Sequence, residues 1–374
     1  MDTSMNPKNH AGHEDVRPTF LDPNLHHVVV EQNVRGSSMA ICPSICETGP
    51  GTFLVAYHRT TGVDFKGRYA IWLRDSADGG SSWGSPRLMA EGLQAPGLLL
   101  LKSGDLLLNG CLHHGDEVAS SSTTMKLFCS KDDGLTWSEE APIWERSKGM
   151  RLQGGCGSLV QMKNGRILCP VQGSEGDNYH TRDNDVPGFR AWCYYSDDGG
   201  ESWTESRVGV ELPQRGAMEP SVAETKDGLL VMALRTQLGS VYISRSEDGG
   251  ETWSEPFASG LEASEAPLAM SCFPDSDRLV LSYCSARYEP EHHHRGERTP
   301  LTVATSTDAG ESWSRIGDIA GGEHEFGSCG SNSICFASDG RVVFAYNWIL
   351  VPWNREQGFF GGTNLAIAES SWLS

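Results

Sequence analysis

"SEDGGETWSEP", residues 246–256, sets acidic residues beside two adjacent glycines and a tryptophan. Related stretches recur as "SADGGSSW" (76–83), "SKDDGLTW" (130–137), "SDDGGESW" (196–203) and "STDAGESW" (306–313). All five copies read S-x-D-x-G-x-x-W, and their starts lie 54, 66, 50 and 60 residues apart. A repeat of this length points to an array of similar small sheets. A catalytic acid cluster is not needed five times over. A twelfth-position Glu, which a calcium loop of the EF-hand type requires, is not systematic. The stretch therefore reads as turn chemistry: Asp248 accepts hydrogen bonds from its own turn, Gly250 takes a positive φ, and Trp253 packs on a neighbouring sheet.

Ahead of each copy runs a second marker, two apolar runs joined by a turn. "GLLLLKSGDLLL" (97–108), "GSLVQMKNGRIL" (157–168), "PSVAETKDGLLVMAL" (220–234) and "NSICFASDGRVVFAY" (332–346) are clear cases; "PSICETGPGTFLVAY" (43–57) and "MSCFPDSDRLVLSY" (270–283) are looser. Gly or Asp between β-rich runs marks a hairpin. Each unit then supplies two hairpin strands, a third strand such as "VYISRS", the box, and a fourth strand. The sixth unit ends at "TNLAIAESSW" without a fourth strand, and "HHVVVEQ" (26–32) can fill the gap. The fold expected is all-β: a six-bladed β-propeller of four-stranded antiparallel blades, its N-terminal strand closing the last blade. The domain plan is a flexible arm over 1–22 and a single propeller over 23–374.

Composition agrees with many short strands and tight turns: 374 residues contain 43 glycines and 11 tryptophans. A net charge of −19 argues against nucleic acid or an anionic membrane surface as partner, and sets any anion site against its background. No window of about 20 apolar residues is present, and the first 20 residues hold no signal-like apolar core. Eleven scattered cysteines without a double CxxC pattern read as reduced, mostly buried thiols. A cytoplasmic location is the expectation.

The five boxes match the Asp-box pattern, and the chain resembles the sialidase superfamily from about residue 26 to its end. Asp boxes identify the fold far better than the reaction. The resemblance implies a site in the central funnel. There three arginines clamp a sugar carboxylate, an aspartate is the acid/base, and a tyrosine nucleophile is assisted by a glutamate. In "MEPSVAETKDGLLVMALRTQ" the matching glutamate and clamp arginine are Glu219 and Arg235, at opposite ends of a hairpin and so at one mouth. "RTPLTVATSTDAGESW" matches the segment of another clamp arginine, giving Arg298. "AYHRTTGVDFKGRYAIWLRDS" matches the acid/base loop, giving Asp64, with Arg59 as a nearby substrate contact.

Two positions depart from the family pattern. The blade-one motif Phe-Arg-Ile-Pro corresponds here to Ala40, Ile41, Cys42 and Pro43, so Ile41 stands for the first clamp arginine. In blade six the nucleophile position falls on Ser331, and Tyr346 lies on the following strand. Without the tyrosine the covalent route closes, and attack by water needs two carboxyls about 6.5–9.5 Å apart; Asp64 and Glu219 are the candidates.

Gln94, Gln153 and Glu265 open corresponding strands, with Glu219 read as their blade-four equivalent, and suggest a polar funnel lining. Glu265 is the reserve acid. His113, His114 and Gln172 are candidate rim contacts. "EHHHRGER" (291–298) reads as a solvated loop, because three consecutive histidines cannot readily converge on one ion. "GSEGDNYHTRDNDVPG" (173–188) is a lid or a plain excursion. No metal and no cofactor is expected. The expected partner is a glycan or acidic sugar. Three functions stay open: a sialidase-like exo-glycosidase on a terminal acidic sugar, a non-catalytic glycan- or protein-binding propeller, and a propeller enzyme on another uronic or neutral sugar. The last includes a lyase using His113, His114, His180 or Tyr346.

Overall fold

The computed structural model describes residues 18, 20–32, 38–61, 69–114, 122–144, 150–154, 159–175, 188–274, 276–291, 295–322, 327–350 and 360–374. The strands fall into six antiparallel sheets that follow one another in the chain. Blade one is Ser38–Gly49, Thr52–Thr61, Tyr69–Ser76 and Arg87–Glu91; blade two is Leu93–Leu100, Leu106–His114, Ser122–Ser130 and Ser138–Glu139. Blade three opens with Met150–Gly154 and Val160–Gln161, which both pair with Ile167–Glu175, and continues with Arg190–Ser196 and Thr204–Glu205. Blade four is Met218–Glu224, Leu230–Arg235, Ser240–Ser246 and Phe257–Glu262; blade five is Ala269–Cys272, Leu279–Cys284, Leu301–Ser306 and Ser314–Gly321. Blade six is Gly327–Phe336, Arg341–Leu350 and Phe360–Glu369, completed by His26–Glu31 from the N-terminal side. This is a six-bladed β-propeller closed by its N-terminal strand. First strands of neighbouring blades lie side by side around the axis, one beside two, four beside five, and six beside one. Phe20–Leu21 adds a short edge to blade five, opposite Gly321 and Ala320, and Asp22 N donates to Ile319 O at 3.1 Å, so this end of the expected arm belongs to the propeller; residues 1–17 and 19 lie outside the described residues.

The boxes do the work assigned to them. In the copy at 246, Ser246 Oγ donates to Asp248 Oδ1 at 2.8 Å and accepts from Gly250 N at 2.9 Å; Thr252 N and Oγ1 donate to Asp248 at 2.9 and 2.6 Å. The same bonds recur around Asp78, Asp132, Asp198 and Asp308. Gly250 has φ 88°, and a Cβ there would sit 3.1 Å from Leu168 Cδ2 of blade three. Its counterparts meet the preceding blade in the same way, Gly80 at Ile367 and Gly310 at Ile243. Each box therefore seats its glycine and tryptophan on the blade before it, and one apolar cluster fills each of the six interfaces.

The hairpin turns add a polar clasp on the same face. Lys102 N donates to Gln161 of the next blade, Lys163 N to Glu224, Lys226 N to Asp277, and Ser338 N to Glu47, at 2.6–2.8 Å. These contacts leave the opposite face, where first strands begin and second strands end, to carry the funnel mouth.

Candidate active site

Blades one, two and four share a bulge at the start of the first strand. The register shifts between Ile41 and Ser44, Gln94 and Gly97, and Met218 and Ser221. The residue before the proline has positive φ in each: Cys42 at 57°, Ala95 at 52° and Glu219 at 41°. Such backbone is unfavourable for a side chain, but its recurrence in three blades makes it a property of the fold. It also corrects one equivalence. Met218, not Glu219, is the blade-four counterpart of Gln94, and Glu219 corresponds to Ala95 and Cys42.

That offset delivers Glu219 to the mouth. Its N–H donates to Gln172 Oε1 at 2.6 Å, and its Oε1 accepts from Arg235 Nη1 at 2.9 Å. Its Oε2 is buried with no hydrogen-bond partner among the described residues. Arg235, 7% exposed, ends the second strand and donates from Nη2 to Glu265 Oε1 at 2.9 Å. Gln237 Nε2 donates to Glu265 Oε2 at 2.8 Å, and Arg298 Nε donates to the Glu265 main-chain oxygen at 3.2 Å. Arg215 Nη1 is also ion-paired to Glu265 Oε1.

Glu265 is 1% exposed. Burial pushes its carboxyl up, but Arg235, Arg215, the Gln237 bond and Arg298 outweigh this and hold it at about 2. Burial, then repulsion from Arg235, lowers the Arg298 guanidinium to about 10, with Glu265 and Glu219 acting the other way, so it stays cationic at neutral pH. Among the described residues the cluster gathers the guanidinium groups of Arg215, Arg235 and Arg298 and the carboxylates of Glu219 and Glu265.

The structure thus brings together Glu219, Arg235, Glu265 and Arg298, four residues singled out in the sequence. Glu265 is neither an exposed funnel-lining group nor a usable reserve acid: it is buried beneath the arginines, which hold its carboxyl low. Gln172 is likewise buried, fastening Glu219. Arg59 is elsewhere. It is ion-paired to Glu31 of the closing strand and lies 4.7 Å from the Trp72 ring, while Arg74 and Tyr57 share the same carboxylate. Those partners place it at the seam between blades six and one. Gln94 is half-buried on the first strand of blade two. His113 and His114 lie on the second, bonded to Thr123 and Thr124 at 3.0 Å. Gln153 faces Gln172 in register. Asp64, His180 and residues 292–294 lie outside the described residues. Tyr346 is 1% exposed, within the core between blades five and six, and burial drives its hydroxyl far above the ordinary range. It cannot replace a nucleophile at the mouth, nor abstract a proton for a lyase.

Sequence reasoning missed Arg215 and Gln237. Neither sits in a repeated motif. Arg215 belongs to the tight turn Pro213–Gly216 that leads into blade four, with Gln214 at φ 59°. The turn is pinned by Phe189 N donating to Arg215 O at 2.8 Å; a Cβ at Gly216 would fall 2.1 Å from Phe189 O. The strained turn "PQRG" just before "AMEP" was the available signal.

The BNR repeat-like domain model matches residues 51–351. The chain belongs to that family, and its fold and relatives place it in the sialidase superfamily. It is 30% identical over 168 residues to a sialidase of Clostridium perfringens, covering 42% of this chain and 41% of that protein. A sialidase of Bacteroides fragilis is 26% identical over 304 residues, 73% of this chain and 53% of the relative. The chain spans about half the length of these curated relatives or less. Among solved structures it is similar to a leech intramolecular trans-sialidase complexed with 2,7-anhydro-Neu5Ac, with TM-score 0.69 and 16% identity over 93% of this chain and 71% of the other. The superfamily propeller is thus established, while Ile41 and Ser331 remain at the two divergent positions.

Proposed function

We propose that this protein is an exo-acting glycoside hydrolase that removes a terminal acidic sugar, sialic acid being the default. The observation that carries the reading is the convergence of Glu219, Arg235, Arg298 and Glu265 at one mouth of a sialidase-superfamily propeller. Glu219 Oε2 is buried and has no hydrogen-bond partner among the described residues, while Oε1 pairs with Arg235, so a turn of the side chain would present Oε2 at the mouth. A water there can give its proton to that oxygen while it attacks the anomeric carbon. Asp64, the residue matching the family acid/base, would protonate the leaving oxygen. With serine at the tyrosine position, this single displacement replaces the covalent route, and the anomeric configuration inverts.

The test is hydrolysis of a fluorogenic sialoside, followed by a panel of acidic and neutral glycosides, with the first-formed anomer read by NMR. Glu219→Ala should lower turnover by about 10²–10⁴-fold. Retention of configuration would refute the single displacement. A chain that turns over none of the panel, yet binds glycans equally well as Glu219→Ala, is a binding propeller; Ile41 and Ser331 favour that second reading.

A further inference from the structure

Six side chains occupy one register position around the ring. Each lies seven residues after the hairpin turn of its own blade: His58 after Gly51, Cys111 after Gly104, Gln172 after Gly165, Arg235 after Gly228, Cys284 after Asp277 and Asn347 after Gly340. Among the described residues, three of them accept a main-chain N–H from the first strand of the next blade. Asn347 Oδ1 accepts from Cys42 N of blade one at 3.4 Å, His58 Nδ1 from Ala95 N of blade two at 3.0 Å, and Gln172 Oε1 from Glu219 N of blade four at 2.6 Å. Cys284 also crosses its interface, its thiol donating to Cys329 O of blade six at 3.2 Å. The three amides share a cause. Each belongs to the positive-φ residue of a bulge, which the register skips. The next residue is proline each time, Pro43, Pro96 and Pro220, with no N–H to satisfy. One acceptor from the neighbouring blade therefore completes the donors of the bulge.

Resting on the hydrolase reading above, we propose that Gln172 is a positioning residue for Glu219. Gln172, 2% exposed, holds the main chain of Glu219, while Arg235, at the same register position in blade four, holds its Oε1 at 2.9 Å. Residue 219 sits at φ 41°, an unfavourable conformation for a glutamate. The bond at its N–H keeps it there and so fixes the direction in which the side chain leaves the strand. Without the acceptor the N–H would seek another partner, and the carboxylate would swing with the backbone. The equivalent latches hold a cysteine and an alanine, so the same device serves the fold in blades one and two and the reacting group in blade four.

The experiment sets Gln172→Met, which keeps the length and loses the acceptor, beside Asn347→Leu, which removes the corresponding acceptor facing blade one. Rates are taken on the fluorogenic sialoside, or on the panel glycoside that wild type hydrolyses. Gln172→Met should lower kcat by about 10- to 100-fold and leave KM within about twofold. Asn347→Leu should lower Tm and leave kcat within about twofold. An unchanged kcat in Gln172→Met, or equal losses in the two variants, overturns the proposal, because a merely structural latch would treat both blades alike. Crystal structures of wild type and Gln172→Met give a readout that needs no turnover. The Glu219–Arg235 contact should open, and φ at residue 219 should leave the positive region; persistence of both overturns the proposal. If Gln172→Met does not fold, Gln172→Asn, whose shorter amide falls short of Glu219 N, takes its place. A wild type that hydrolyses no glycoside refutes the hydrolase reading alone, and the two crystal structures then decide whether Gln172 positions Glu219.

Discussion

At the scale of single residues, the acids of this protein divide into two kinds. The box aspartates are exposed yet held low: hydrogen bonds from Ser82 and Ser76 set Asp78 at about 2, and bonds from Ser312 do the same for Asp308. Glu265 reaches a similar value by a different route, arginines overcoming burial. In each case the folded group binds its proton less readily than the unfolded one. The associated stability is therefore complete above roughly pH 4–5 and drains away as pH falls through about 2. Thermal melts between pH 5 and pH 2 should show Tm falling, with a shallower fall for Asp308→Asn. Glu265→Gln removes the charge of the hub that gathers Arg215, Arg235 and Arg298. We expect it to cost about 3–5 kcal/mol in denaturant titrations, with loss of sugar binding. Equal stability of wild type and Glu265→Gln would contradict the hub role.

At the scale of elements, one strand decides closure and one irregularity decides the site. His26–Glu31 pairs with Phe360–Glu369 and inserts Val30, 3% exposed, into the cluster shared by blades six and one. Val30→Asp buries a charge without a partner at the ring's seam. It should lower Tm by roughly 10 °C or more, more than the same change at exposed Val29 of the same strand. The bulge places Glu219 rather than Met218 over the mouth, because one extra residue on a strand switches which side chain faces which way. Glu219→Gly would relieve the positive φ but remove the carboxylate, so the backbone and catalytic contributions part: stability should hold or rise while activity is lost.

At the scale of the whole molecule, ten cysteines lie among the described residues and most of these are buried. Burial raises the Cys193 thiol far above its ordinary value and the Cys284 and Cys335 thiols to about 12. A thiol reagent should titrate the native protein slowly and release all eleven thiols on denaturation. A substoichiometric count after denaturation would show that some are oxidised.

Much of this molecule was legible in its sequence for a simple reason. Box bonds, hairpin turns and strand alternation are local, so repetition exposes them, and the closing strand is implied once the units are counted. The approach of Glu219, Arg235 and Arg298 followed from the hairpins and a family pattern. Arg215, Gln237 and the hub role of Glu265 did not, because no repeat or spacing links a turn before blade four to a residue opening blade five. Arg59 looked equally suited to a ligand, but Glu31 of the closing strand and the Trp72 ring hold it at the seam between blades six and one. The sequence by itself determined the ring, since each turn is written in adjacent residues. Only the tertiary structure decided which charges meet, since that depends on bulges, exposure and distant partners at the mouth.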